Sequence, residues 1–130
     1  MTPVTVGARA AESLATRRDE LAQATTDALY ADMPALLEKY GERGRAKCLQ
    51  DMHHNFDHLA PAVALEDPTL FQAYAKWLEE LLAARRVPTL EIRRTFELMD
   101  EQTRRRLPID EASVVSVCIR AGIAALDAEP

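Results

Sequence analysis

A chain of 130 residues, 48% apolar and 28% charged, has enough apolar material for one buried core and too much for a disordered polymer. Its formal charge of −5, with basic residues interleaved among acidic ones, lacks the broad positive field that neutralises phosphates, so no nucleic-acid partner is expected. No stretch approaches the roughly 18 apolar residues of a membrane span and no secretory leader is recognisable, so a cytoplasmic protein without membrane contact is expected.

Apolar residues return at three and four positions and nowhere alternate, which predicts an all-α chain, a single domain over residues 1–130 with about six helices. The first helix is expected over Ala8 to Ala31, with Leu14, Leu21, Ala28 and Leu29 inward. Met33 and Pro34 restart the chain into a short helix that stops at Gly41, and Gly44 adds to the punctuation. A longer helix follows from Arg45 to Leu65, with Leu49, Met52, Phe56, Leu59 and Val63 in one narrow arc and Pro61 expected to kink or break it. Asp67 then Pro68 is an N-cap followed by a first-turn proline, opening the helix of Leu70, Phe71, Tyr74, Trp77, Leu78, Leu81 and Leu82. Pro88 and Thr89 open a helix to about Arg105 with Ile92, Phe96 and Met99 inward, and Pro108 ends it. The last, from Ile109 to Asp127, is apolar nearly all round and is expected at the centre of the fold. Short connections around a buried final helix suit a globin-like or other orthogonal helical fold better than an up-and-down bundle. The run Arg104, Arg105, Arg106 reads as a solvated helix end, favoured by the helix dipole.

Titratable groups concentrate on one helix: Lys47, Cys48, Gln50, Asp51, His53, His54, Asp57 and His58, including all 3 histidines of the chain. At about 100° per residue, Cys48, Asp51, Asn55, His58 and Ala62 share a face beside the apolar arc, His54 borders it and His53 points away. His54 and His58 could both reach a metal, but two ligands do not make a site, and histidines on a solvated face explain the spacing as well. Cys48 and His54 are nearly two turns apart with no strand or glycine-rich turn to present a nucleophile, so no enzyme is expected. Cys48 and Cys118 are far apart in sequence and read as free thiols.

The set suits a large flat ligand. A tetrapyrrole needs an apolar slot, an acceptor for its inward N–H groups and cations for its propionates. Asp51 supplies the acceptor, Cys48 stands one turn away as a thioether site, Tyr74 and Trp77 offer rings to stack on, and Lys47, Arg43 or Arg45 can meet the propionates.

At this point the sequence resembles the phycobiliproteins, globin-fold light-harvesting proteins whose bilin is attached to a cysteine followed three residues later by an aspartate. Here that motif reads Cys48, Leu49, Gln50, Asp51. The stretch Ala64 to Tyr74, the segment from Arg86 through Pro88 and the ending Glu111 to Leu126 match in order and spacing, so the resemblance covers Arg45 to Ala128 and, more loosely, the first two helices. Gln50 stands where the family usually has arginine, and His54 and Asn55 replace common aromatics. The N-terminal helical extension that pairs the family's subunits is not matched, so an antenna subunit is not expected. The chain is more similar to the phycobiliprotein-related globins of non-photosynthetic bacteria, which accompany bilin biosynthesis. The resemblance implies a linear tetrapyrrole, biliverdin or phycocyanobilin, held by Lys47, Cys48, Asp51, His54, Asn55, His58, Tyr74 and Trp77. It also implies haem oxygenase or a bilin reductase as partners. Two alternatives stand beside it: a haem protein with His54 or His58 as axial ligand, and an apo interaction domain that forms a homodimer through Tyr74, Trp77 and their neighbours.

Overall fold

A computed structural model describes residues 4–126. Among them are six helices and no strand: α1 (Val6–Thr16), α2 (Arg18–Asp32), α3 (Ala35–Ala64), α4 (Pro68–Ala83), α5 (Thr89–Arg104) and α6 (Ile109–Ala125). Asp127, the expected end of the last helix, lies outside the described residues.

The start signals act as their chemistry requires. Thr5 accepts from the Ala8 N–H at 3.0 Å to open α1, and the Asp67 carboxylate accepts from the Thr69 N–H at 3.1 Å to open α4 behind Pro68.

Three expectations are corrected. The single helix expected over Ala8 to Ala31 is two, because Arg17 leaves the helical region (φ −100°, ψ 14°) and turns the chain between α1 and α2. Leu14 and Leu21 are both buried on either side of that break, so the apolar stripe runs through it and hides it from periodicity. The longer helix starts earlier than Arg45: the run Ala35–Ala64, counted as α3, is two helices meeting at Gly41, whose φ of 71° and ψ of −174° are non-helical, so the short helix stops at Gly41 as expected and the second resumes directly after it. Gly44 lies inside the second of these helices, but the kink brings Tyr40 so near that a Cβ at Gly44 would collide with the Tyr40 Cβ. Pro61 does not break α3. It is exposed, one turn before the helix end, and the turn it would otherwise have bonded to, at Asp57, is exposed too, where water can satisfy the carbonyl.

α6 lies at the centre, against α1, α3, α4 and α5. Its burial is not complete, since Ile109 and Val117 face solvent. Its most extensive contact is with α4, where Gly122 leaves room for the fully buried Phe71 ring. The main core holds Leu14, Leu21, Met52, Phe56, Leu59, Val63, Phe71, Phe96, Met99, Val115 and Ile119. Leu29, Tyr30, Leu36 and Leu98 form a second, smaller cluster, and the half-buried Cys48 packs against both. Bidentate pairs Arg18–Asp57 and Arg94–Asp32 tie α2 to α3 and α5, while Arg106 of the basic run meets Glu20 at 2.9 Å.

Candidate functional site

Between the two clusters lies a cavity of about 530 Å³, within the ~300–1,000 Å³ usual for small-molecule sites. The ligand-facing side of α3 supplies Lys47, Cys48, Asp51, Met52, His54, Asn55 and His58, while α4 supplies Tyr74, Trp77, Leu78, Leu81 and Leu82. The far wall is Leu29 and Tyr30 from α2, Leu36 and Tyr40 from the first part of α3, and Ile92, Thr95 and Phe96 from α5. Apolar side chains dominate, as a hydrophobic ligand requires.

All eight residues singled out from the sequence therefore border one cavity. His53 does not: its Nε2 meets the Asp19 carboxylate at 3.0 Å, so it fastens α3 to α2. Ala62 is buried in the core and does not border the cavity. Of the three cations assigned to propionates, Lys47 lines the cavity and Arg43 and Arg45 do not. Arg45 instead bonds Asp27 at 2.7 Å and lies 5.0 Å over the Tyr30 ring.

The side chains differ in what they have free. The Asp51 carboxylate is half-exposed and accepts from Lys47 Nζ at 2.8 Å, an i,i+4 pair that binding can exchange at little cost. Asn55 is buried, and its Oδ1 accepts from the Tyr74 hydroxyl, so both are committed to each other. Burial, then Asp51 and Asp57, push the Tyr74 hydroxyl well above the usual phenol range, keeping it a donor. His58 stacks on Tyr74 with centroids 4.4 Å apart and planes at 12°, covering one face of that ring. The ring left open is Trp77, which is 54% exposed.

Cys48 is the thiol on this wall; Cys118 is buried in the core. Burial first, then the Asp51 charge, push the Cys48 thiol from its usual 9.0 up to about 11. The Thr26 hydroxyl beside it, buried and without a sound hydrogen bond of its own, pulls weakly the other way.

Sequence reasoning missed Arg85, Glu91 and Thr95, which also border the cavity. They come from other elements, so no periodicity on α3 could reveal them. Among the described residues, no three His, Cys, Asp or Glu come together as a metal site, so His54 and His58 remain a pair. No described helix is long and apolar enough to cross a membrane.

No curated protein matches the chain. A family comparison matches residues 5–126 to the phycobilisome proteins, which are globin-like, bilin-binding and generally non-enzymatic. The match spans nearly all the described residues, and the chain belongs to the phycobilisome protein family.

Proposed function

We propose that this protein binds a linear tetrapyrrole, biliverdin or phycocyanobilin, in the cavity between α3, α4 and α5, for carriage or light-related use. One observation carries the reading: a cavity of about 530 Å³, walled by apolar side chains, brings a half-exposed carboxylate, a thiol and cations to the same space. That donor set fits the group. Asp51 would accept from the pyrrole N–H groups once Lys47 releases it, and Lys47 would then be free for a ligand carboxylate. Trp77 offers its exposed ring for stacking, while Tyr74, clamped between Asn55 and His58, is a floor more than a stacking partner. When bound, the bilin supplies a conjugated system that absorbs visible light. Cys48 stands where a thioether would form, but its high proton affinity supports non-covalent binding as the first state. Haem oxygenase or a bilin reductase is the source this reading calls for.

Adding biliverdin to the purified protein tests it. Red-shifted visible absorbance, weakened by Asp51→Asn, is the expected result. No spectral change with biliverdin or phycocyanobilin, or a change indifferent to Asp51→Asn, overturns it. A sharp Soret band with haem that is lost in His54→Ala or His58→Ala would establish the haem reading instead. Zinc-enhanced fluorescence after denaturation reports whether the bond to Cys48 has formed.

A further inference from the structure

All 3 tyrosines of the chain border the cavity, and they differ in what their hydroxyls hold. The Tyr74 hydroxyl donates to Asn55 Oδ1, and Tyr40 is 38% exposed with Lys39 Nζ 5.0 Å over its ring. Tyr30, on the α2 wall, is only 6% exposed, yet its hydroxyl makes no hydrogen bond to a described residue. Nor is that hydroxyl sealed in the core, as the unpartnered one of Thr26 is, one turn earlier on α2. Burial first, then Cys48 as its thiolate, make the phenol hold its proton more tightly than usual; Arg45 pulls the other way, and Tyr40 and Glu91 add to the rise. Those groups also locate the hydroxyl. Cys48, Tyr40 and Glu91 all border the cavity, so it lies at the end of the space where Cys48 stands.

A buried hydroxyl that keeps its proton and has no protein acceptor is satisfied when a bound molecule brings one. The charges nearby decide what kind. Asp51 and Glu91 both bear on Cys48. The cation that acts on Tyr30, Arg45, is already bonded to Asp27 at 2.7 Å, with its guanidinium carbon 5.0 Å over the Tyr30 ring. An anionic group at this end would face two carboxylates and a guanidinium already paired, so the fitting acceptor is neutral. A linear tetrapyrrole ends in two lactam rings, each with a carbonyl of that kind, whereas a closed macrocycle has none.

We infer that the Tyr30 hydroxyl donates to a terminal lactam carbonyl of the bound molecule, seats that ring beside Cys48 and makes the cavity favour an open-chain tetrapyrrole over a closed one. The inference rests on the tetrapyrrole reading and adds the group that is recognised and the residue that recognises it. A hydrogen bond between neutral partners changes affinity by roughly three- to tenfold.

Tyr30→Phe removes the hydroxyl and keeps the ring. Biliverdin and protoporphyrin IX, which both carry propionates, are titrated against wild type and variant by quenching of the single tryptophan, Trp77, at the cavity wall. The infrared carbonyl band of bound biliverdin is recorded for both proteins. The wild-type protein is expected to prefer biliverdin. Tyr30→Phe should weaken biliverdin by roughly three- to tenfold, leave protoporphyrin IX unchanged and shift the lactam band to higher frequency. Equal affinity of the wild-type protein for the two ligands, an equal loss for both in the variant, or a lactam band that does not move overturns the assignment of Tyr30 while the tetrapyrrole reading stands. If neither biliverdin nor phycocyanobilin binds the wild-type protein, both fall.

Discussion

Cys48 should behave as an unreactive thiol until something takes its proton, and the size of the effect can be worked out. With its proton affinity raised from 9.0 to about 11, roughly one Cys48 in 10,000 is ionised at pH 7, against roughly one in 100 for an ordinary cysteine. A more basic thiolate is a better nucleophile, which returns roughly six- to tenfold of that hundredfold deficit. The net slowing at pH 7 is therefore roughly tenfold before access is counted, and Cys48 is half-buried. The inflection is the sharper observable. Iodoacetamide alkylation followed by peptide mass spectrometry from pH 7 to pH 11, with circular dichroism to verify folding, should give a rate that climbs through pH 10 and bends near 11. Asp51→Asn removes the second-largest cause and should move the bend downward. A bend at or below pH 9 in the folded protein would refute the argument that burial and Asp51 protect the thiol, and with it the case for non-covalent binding first.

Gly122→Ala pits a helix-propensity gain of about 1 kcal/mol against overpacking that costs about 1–3 kcal/mol. The new Cβ would sit 2.5 Å from a Phe71 ring carbon, and Phe71 is fully buried between Phe96 and Tyr74, so overpacking wins and urea unfolding should show a lower midpoint. An unchanged or higher midpoint would show that α4 and α6 can part freely. Tyr74→Phe leaves the Asn55 carbonyl buried without its donor and should cost about 1–3 kcal/mol in the same assay; a neutral result would mean that water reaches Asn55. Gly41→Ala meets no atom within 4 Å, so any loss comes from the backbone alone, about 1–3 kcal/mol of strain at a φ of 71° and ψ of −174°, and equal stability would contradict the bend.

The parts of the fold that could be read were those where a local signal and the tertiary structure agree. Asp67 and Pro68 open α4 by local chemistry alone, and the spacing of Met52, Phe56, Leu59 and Val63 fixes the inward face of α3 whatever packs against it. Arg17 carries no such mark. It is neither glycine nor proline, and the turn there lets α1 lie on α3 and α6 while α2 reaches α5. Pro61 misled for the opposite reason: the residue type is a strong local signal, but its cost falls where the helix is exposed and about to end. At the site, one helix face was legible, including the outward turn of His53. Arg85, Glu91 and Tyr30 enter the cavity only through tertiary packing.

The bend at Gly41 explains why a cavity exists at all. A straight helix rises about 1.5 Å per residue, so an unbent α3 would carry Leu36 and Tyr40 away along its axis from the turn that bears Cys48. With Gly41 in a conformation that essentially only glycine holds, the first part of α3 folds back. Leu36 then joins Leu29, Tyr30 and Leu98 in the smaller cluster, and Tyr40 faces the same space as Asp51 and Trp77. Two apolar clusters that touch through Cys48 but do not merge leave a gap lined by both, and the gap is the cavity. A core optimised only for stability would close such a space, because apolar wall left open to water forgoes about 25 cal/mol for each Å² it could have buried. A strained glycine that holds a space of about 530 Å³ open beside a carboxylate and a thiol is what a protein keeps when the filling is a ligand.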